Sequence, residues 1–118
     1  MVNLRETGSE YEEIAACFLE EKGYRILARN YRCRFGEIDL IALHEEYLVF
    51  VEVKYRKTAK YGMPVEAVNR KKQRIISKVA QNYIINQRLG EGRPIRFDVV
   101  AVLDEEITLY ENAFDFCG

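Results

Sequence analysis

GEIDLIALHEEYLVFVEVKY, residues 36–55, is the stretch of sequence that decides the fold. Two runs rich in β-branched and aromatic residues flank the polar pair Glu45 and Glu46, a pattern typical of an antiparallel β-hairpin with a short turn. A turn centred between these glutamates places Leu40 opposite Val51, because facing residues are equally distant from the turn. The stretch therefore predicts both the strands and their register.

The predicted register gives the two faces of the hairpin different characters. One face contains only apolar pairs, namely Ala42 with Val49, Leu40 with Val51 and Ile38 with Val53. The other face changes from apolar to charged pairs, in the order Leu43 with Leu48, Ile41 with Phe50, Asp39 with Glu52 and Glu37 with Lys54. Two carboxylates about 5 Å apart repel by about 3 kcal/mol at an effective dielectric constant of 20. A shared proton, the Lys54 ammonium or a divalent cation can compensate, and the half-buried sheet end favours the last two.

The rest of the chain predicts two helices and three further strands. Apolar residues at helical spacing predict helices over residues 9–22 and from Pro64 to about Leu89, ended by Gly23 and by Gly90 and Gly92. The strands are predicted over residues 24–33, 36–43, 47–55, 95–103 and 107–110. The order α-β-β-β-α-β-β indicates a mixed α/β sandwich, and the length favours one domain over residues 1–118.

Composition excludes several classes of protein. With 48% hydrophobic and 31% charged residues, the chain is close to globular averages and unlike a disordered or collagen-like protein. The longest apolar runs, such as residues 99–103, are far shorter than the roughly 20 residues of a membrane-spanning helix. The polar N-terminus lacks the apolar core of a signal peptide. We therefore expect a cytoplasmic protein without membrane contact, whose three cysteines are reduced.

Charge is balanced in total but uneven along the chain. The formal net charge is -1, yet residues 25–36 carry four basic residues and no acid. Residues 54–78 carry nine basic residues against Glu66 alone. This distribution is consistent with one positive face for a polyanion, although each basic run is also what an ordinary solvated surface contains.

The residue types near Asp39 narrow the class of metal. Carboxylate oxygens without nearby imidazole or thiolate suit hard cations such as Mg²⁺ or Mn²⁺ and disfavour zinc. His44 is five residues from Asp39 along the strand, or roughly 17 Å at about 3.4 Å per residue. We expect His44 to be a surface residue at the hairpin turn.

Asp39 and the later Glu52-Val53-Lys54 are similar to the Asp…(Asp/Glu)-x-Lys signature of the PD-(D/E)xK nuclease superfamily. Further stretches of sequence that carry the resemblance lie at residues 23–24, 28–32, 36–41, 49–54 and 71–73. Together, from about Glu12 to Phe114, they resemble the bacterial YraN-like family, whose members resemble Holliday-junction resolvases. The resemblance implies a restriction-endonuclease-like mixed β-sheet with an α-β-β-β-α-β core order and helices packed on the sheet.

The resemblance also implies roles for individual residues. Asp39 and Glu52 would hold Mg²⁺ or Mn²⁺, and Lys54 would orient the attacking water or stabilise developing charge. Glu12 matches the first-helix acid of the family and is a further candidate ligand, although Tyr11 stands where members commonly have Gly. Gln73, at the margin of the second helix's apolar stripe, would lie beside the carboxylates.

Other polar residues are candidates from their position alone. Lys72 falls in the centre of the second helix's apolar stripe and should point inward or snorkel. Together with Lys72, the candidates for phosphate contacts are Arg29, Arg32 and Arg34. Glu37 has two alternative roles, a catalytic one or a cross-strand ion pair with Lys54.

The expected function is metal-dependent hydrolysis of phosphodiester bonds in branched or single-stranded DNA, by in-line attack of an activated water. RNA is the alternative nucleic-acid partner, and a homodimer is expected by analogy with resolvases. Two other classes of function compete with this one. The first is a nucleic-acid-binding module that keeps the fold but cleaves poorly, and the second is a structural protein with a salt-bridged sheet end.

Overall fold

The computed structural model describes residues 4–87 and 93–117, with side chains from residue 10 onward. The elements are α1 (Leu4–Glu21), β1 (Arg25–Cys33), β2 (Gly36–His44), β3 (Tyr47–Arg56), a 3₁₀ turn (Pro64–Ala67), α2 (Arg70–Gln87), β4 (Ile95–Leu103) and β5 (Glu106–Phe114). The predicted order of helices and strands is confirmed. The chain is a mixed α/β protein.

The five strands form one mixed sheet in the order β1-β2-β3-β4-β5. Neighbouring strands are antiparallel except β3 and β4, which are parallel. A parallel pair requires the chain to return to the same end of the sheet, and the segment containing α2 makes this crossover. α1 packs on one face through Ala15, Ala16 and Leu19, and α2 packs on the other face through residues that include Ile76 and Val79. Both faces of the central strands are therefore buried.

The second helix begins at Arg70 and not at Pro64, so the predicted start is wrong. Pro64–Ala67 forms a separate 3₁₀ turn. Asn69 then caps α2, because its side-chain oxygen accepts the backbone N–H of Lys72 at 3.0 Å. Proline fits the first turn of either kind of helix, whereas asparagine is a strong N-cap. The predicted helix end near Leu89 and the two glycines after it lie outside the described residues.

The predicted register of the hairpin is confirmed only in part. β2 and β3 pair from His44 opposite Tyr47 to Leu40 opposite Val51, and the ladder stops there. β2 continues to Gly36 paired with β1 alone, and β3 continues to Arg56 paired with β4 alone. The two strands therefore separate and leave a wedge between residues 36–39 and 52–56, which we call the β2–β3 wedge.

A side chain causes this separation. The Asp39 carboxylate accepts the Val53 backbone N–H at 2.8 Å and so takes the place of a ladder carbonyl. Ile38 packs in the same core cluster as Ile41, although strict alternation would put them on opposite faces. Asn30, between the β1 residues that pair with Ile38 and Leu40, has a φ of 52°. The alternation of β2 side chains between the two faces of the sheet is therefore interrupted at Asp39.

Three predicted pairs are consequently wrong as ladder pairs: Ile38 with Val53, Asp39 with Glu52 and Glu37 with Lys54. Ile38 faces α2, whereas the predicted register grouped it with Leu40 and Ala42, whose face packs on α1 in the structure. The predicted pairing assumed that backbone N–H and C=O groups form all the hydrogen bonds between the two strands. That assumption does not account for a side-chain carboxylate that accepts one of the backbone N–H groups.

A buried ion pair between Arg96 and Asp98 stabilises the part of β4 that pairs with Val49 and Val51 of β3. Asp98 is 0% exposed. Its oxygens accept Arg96 Nε and Nη2, both at 2.9 Å, the Tyr24 hydroxyl at 2.6 Å and the Asn112 backbone N–H at 2.9 Å. His44 stacks on Tyr24 at 4.1 Å between ring centroids, and its Nδ1 is 2.8 Å from Arg96 Nη2. The prediction of a surface histidine at position 44 is wrong.

Two smaller findings concern the membrane and cysteine predictions. Within residues 4–87 and 93–117, no helix has both the length and the apolar character to cross a membrane. Cys17 is exposed, Cys33 is half-buried and Cys117 is buried, and all three are free thiols.

We expect Asp98→Asn to lower the free energy of unfolding by about 3 kcal/mol, because it leaves the buried Arg96 guanidinium with only the half-exposed Glu111 carboxylate, 3.5 Å away, as an anionic partner. Denaturant unfolding followed by circular dichroism measures this change. Glu105→Gln removes an exposed carboxylate from the β4–β5 turn and should change stability by less than about 0.5 kcal/mol. Equal unfolding midpoints for the two variants would contradict the prediction.

Candidate active site

Two carboxyl groups meet at the apex of the β2–β3 wedge. Asp39 reaches it from β2 and Glu52 from β3, close enough for the charge of Glu52 to raise the pKa of Asp39. Glu52 is only 3% exposed, and Asp39 is half-buried. The structure thus brings together the two acids that the sequence singled out, by separation of the strands and not by ladder pairing.

Asp39 has a strongly altered acidity. Burial, the charge of Glu52 and the hydrogen bond with Glu52 raise the pKa of Asp39 to about 8, and the Glu12 charge adds a smaller increase. The Val53 N–H acts in the opposite direction, since it stabilises the carboxylate. The raised pKa favours the protonated form of Asp39 near neutral pH.

Two lysines surround the Glu52 carboxylate. Lys54 Nζ lies 3.5 Å and Lys72 Nζ lies 3.1 Å from the same Glu52 oxygen. Lys54 shares the α2 side of β3 with Glu52, because residues two apart point the same way. Lys72 approaches from the first turns of α2, as its place in the apolar stripe predicted. Two ammonium groups therefore face the Glu52 carboxylate, and the Glu12 charge nearby offsets one of them.

Glu12 and Gln73 are the other two predicted site residues. Glu12 is half-buried on α1, and its charge reaches Asp39. Gln73 donates its side-chain N–H to the Val68 carbonyl at 3.1 Å and thereby secures the start of α2. Among the described residues, no three His, Cys, Asp or Glu side chains are arranged to hold a metal ion by themselves. Glu12 therefore does not complete a preformed three-carboxylate site.

The β1–β2 turn forms the outer wall of the wedge. Arg32 pairs with Glu37 at 2.9 Å, and both side chains are exposed. The predicted ion pair between Glu37 and Lys54 is therefore wrong, because the β1 neighbour reaches Glu37 first. Arg34 lies over the Phe35 ring, with its guanidinium carbon 4.8 Å from the ring centroid.

Arg29 lies apart from this wall. It faces α1, where it forms an exposed ion pair with Glu13. Its neighbour across β2 is Leu40, which packs in the α1 core cluster. Of the four predicted phosphate contacts, Lys72 lies at the carboxyl pair and Arg32 and Arg34 lie at the turn, while Arg29 is occupied on the α1 side.

Two features of the wedge, the contact between Tyr11 and Tyr55 and the buried Arg56, were not predicted from the sequence. Tyr11 stacks on Tyr55 with 3.9 Å between ring centroids, and the hydrogen bond with Tyr55 raises the pKa of Tyr11 to about 12. Arg56 has a buried Nε that meets no hydrogen-bond partner within the described residues. The alternation of Glu52, Lys54 and Arg56 along β3 was the available signal for the arginine.

The stability of the protein should depend on pH through Asp39. Its folded-state pKa of about 8 lies above the ordinary value of 3.8, so the native state binds a proton more tightly than the unfolded chain. This contribution to stability is fully present below about pH 4 and is lost as the pH rises through 8. Asp39→Asn should remove it, because the amide stays neutral and can still meet Val53 and Glu52.

Urea unfolding of both proteins in EDTA from pH 5 to pH 9 measures the effect. The stability of the wild type relative to Asp39→Asn should fall as the pH rises. Glu37→Gln, which removes an exposed acid of the same wedge, should show the pH dependence of the wild type. A constant difference between the wild type and Asp39→Asn across this range would contradict the raised pKa.

Comparison with known proteins places this site in a family. A UPF0102 protein of Lachnoclostridium phytofermentans is 53% identical over 117 residues, which cover 99% of each chain. A UPF0102 protein of Syntrophus aciditrophicus is also 53% identical, with 96% of this chain and 91% of the relative covered. Residues 11–102, which include Glu12, Asp39, Glu52 and Lys54, match the family described as "Uncharacterised protein family UPF0102". The recognition of a YraN-like chain is thereby confirmed at the level of the family, and the chain belongs to UPF0102.

Proposed function

We propose that this protein is a divalent-metal-dependent nuclease of the PD-(D/E)xK type, which hydrolyses phosphodiester bonds of branched or single-stranded DNA. The observation that carries the proposal is the contact between the Asp39 and Glu52 carboxyl groups at the apex of the wedge, with Lys54 beside them. RNA as substrate and a homodimer remain predictions.

An arrangement of this kind is costly for folding. Two acids are held together out of water, and one of them keeps a proton near neutral pH. Apolar residues of similar volume would stabilise such a position better than buried charges do. Strongly altered pKa values are concentrated at functional sites, where the chemistry requires them. The arrangement therefore favours a functional role over a structural one.

The donor set fits a hard divalent cation. Mg²⁺ is commonly bound through one or two carboxylates, with waters and substrate phosphates completing its coordination. Asp39 and Glu52 would hold the ion, and Glu12 would add to the negative field around it. When bound, the ion would lower the pKa of the attacking water and neutralise charge on the phosphate. A preformed cage of three carboxylates is not needed for this chemistry.

Lys54 and Lys72 can donate hydrogen bonds to a substrate phosphate. Each ammonium has three N–H donors, and the Glu52 oxygen engages only part of this capacity. Lys54 would orient the attacking water or stabilise charge on the phosphate, and Lys72 would hold a non-bridging oxygen. Arg32 and Arg34 at the β1–β2 turn would contact neighbouring phosphates without reading bases.

The assignment to a restriction-endonuclease-like fold is part of this proposal. Two features support it: the α-β-β-β-α-β order of the core elements and the position of the acids where β2 and β3 separate. The wedge leaves the β2 side of residues 52–56 unpaired within the sheet. A nucleic-acid strand can approach the carboxyl groups there without displacing a strand of the sheet.

One observation favours a second candidate function, a nucleic-acid-binding module without cleavage. Lys54 and Lys72 both neutralise Glu52, and Asp39 holds a proton near neutral pH. A cation must displace the Asp39 proton and compete with both ammonium groups. If it loses this competition, the same positive surface still binds phosphates, but no hydrolysis follows.

Cleavage assays separate the two candidates. With Mg²⁺ or Mn²⁺, the wild type should cut branched or single-stranded DNA, and Lys54→Ala should cut about 10²- to 10⁴-fold more slowly because it loses a charge-stabilising group. Lys71→Ala removes an exposed lysine of α2 and serves as the matched control. Cleavage that survives EDTA or Asp39→Asn would point to a different centre. Binding of DNA without cleavage by the wild type would identify the binding module.

Metal binding should be visible without DNA. Mn²⁺ should raise the melting temperature of the wild type in a saturable way, since a ligand at 100 times its Kd stabilises by about 2.7 kcal/mol. Glu52→Gln should abolish this shift, because the variant lacks a carboxylate at the apex. Glu37→Gln should keep the shift, as Glu37 is paired with Arg32 at the turn. Equal shifts in both variants would show that Mn²⁺ binds elsewhere.

A further inference from the structure

Two stacked tyrosines lie on the α1 side of the wedge. The Tyr11 and Tyr55 rings are 3.9 Å apart between centroids and within 16° of parallel. Tyr55 belongs to a central strand, yet its side chain is 36% exposed because β2 has separated from β3 at that level. Tyr11 covers one face of Tyr55, and part of Tyr55 stays exposed beside this stack.

The pair is linked to the candidate active site through neighbours in sequence on both elements. Tyr11 is followed on α1 by Glu12, whose charge reaches Asp39. Tyr55 follows Lys54, whose ammonium lies 3.5 Å from Glu52. Each ring is therefore one residue away from a side chain that acts at the carboxyl pair.

We propose that the Tyr11–Tyr55 pair is a stacking platform for an unpaired nucleobase next to the phosphate that is cut. This inference rests on the proposed function and specifies its substrate class as nucleic acid with unpaired bases. Stacking on aromatic side chains contributes substantially to single-strand binding and tolerates any base, because every base has a π-face. Bases in an intact duplex are already stacked on one another and cannot use the platform.

Charge on β3 favours a nucleic-acid occupant over an apolar peptide. Lys54 and Arg56 point to the α2 side of the strand that carries Tyr55, and Arg56 Nε has no partner within the described residues. A single strand can place its phosphates along these cations and turn one base across the open edge of β3 towards Tyr55. Guanidinium and ammonium groups flanking an aromatic surface are typical of single-strand binding sites.

Other exposed aromatic residues lack this combination. Phe35 is covered by the Arg34 guanidinium, and Tyr61 lies under the Lys60 ammonium. Neither ring belongs to one of the described aromatic pairs. A ring supported by a parallel neighbour presents a fixed face, so less side-chain freedom is lost when a base binds.

Binding in EDTA tests the platform without cleavage. The probe is a single-stranded oligonucleotide containing 2-aminopurine, whose fluorescence is quenched by stacking, compared with a duplex of the same sequence. Tyr55→Ala should weaken single-strand binding by roughly 5- to 160-fold, the loss of one base–aromatic stack, and should abolish the quenching. Duplex binding should change by less than about twofold, since it depends on phosphate contacts. Tyr55→Phe should bind and quench like the wild type.

Three control variants exclude trivial explanations. Tyr61→Ala removes the most exposed tyrosine and should leave single-strand binding unchanged. Tyr55→Leu keeps apolar bulk against Tyr11, so wild-type binding by this variant would reduce Tyr55 to a packing role and overturn the platform. Tyr11→Ala leaves Tyr55 without its support and should weaken single-strand binding, while circular dichroism and thermal melting verify that each variant is folded.

The outcomes distinguish the platform from the nuclease. Equal losses of single-strand and duplex binding in Tyr55→Ala, or no quenching by the wild type, would overturn the platform even if DNA is cleaved. Tyr55-dependent quenching in a protein that never cleaves would support the platform and reject the nuclease. A wild type that binds no nucleic acid would reject both.

Discussion

The hydrogen bond from the Val53 backbone N–H to the Asp39 carboxylate is the constraint on which the site depends. It replaces a bond between backbone groups and so ends the β2–β3 ladder at Leu40 and Val51. Beyond that point each strand keeps only its outer neighbour, and the wedge opens. An acid in the middle of a strand thus determines where the sheet divides, and the same acid stands at the point of division.

The division decides which side chains meet. Glu52 would be an ordinary buried strand position if β2 continued beside it, because its neighbour Val99 on β4 belongs to the core. With β2 displaced, Glu52 meets Asp39 on one side and the Lys72 ammonium on the other. Lys54 and Lys72 offset the charge of Glu52. A bound ligand can exchange partners with these groups, because the described contacts at the apex leave hydrogen-bonding capacity free on both lysines.

Sequence patterns predicted what depends on neighbours in the chain. The register near the turn follows from alternation and turn length, and the inward position of Lys72 follows from helical spacing. Patterns failed where a side chain took over a backbone role, as at Asp39 and at Asn69. They also failed for contacts between distant parts of the chain, such as His44 with Arg96 and Tyr11 with Tyr55. Hydrophobic periodicity assigns a residue to one face of a helix or strand, but it does not identify which distant residues pack against that face.

Asp98 and Asp39 show what separates a structural acid from a candidate functional one. Asp98 receives Arg96, Tyr24 and the Asn112 N–H, so its oxygens are fully engaged and its charge has a fixed partner. Asp39 receives one backbone N–H and otherwise faces another acid. Asp98 is fully buried and Asp39 is half-buried, but the decisive difference lies in their hydrogen-bond partners. A carboxylate with a complete set of donors has no free lone pairs to offer a ligand. Asp39 lacks that set and can take up either a proton or a cation, which is why we assign the proposed chemistry to Asp39 and not to Asp98.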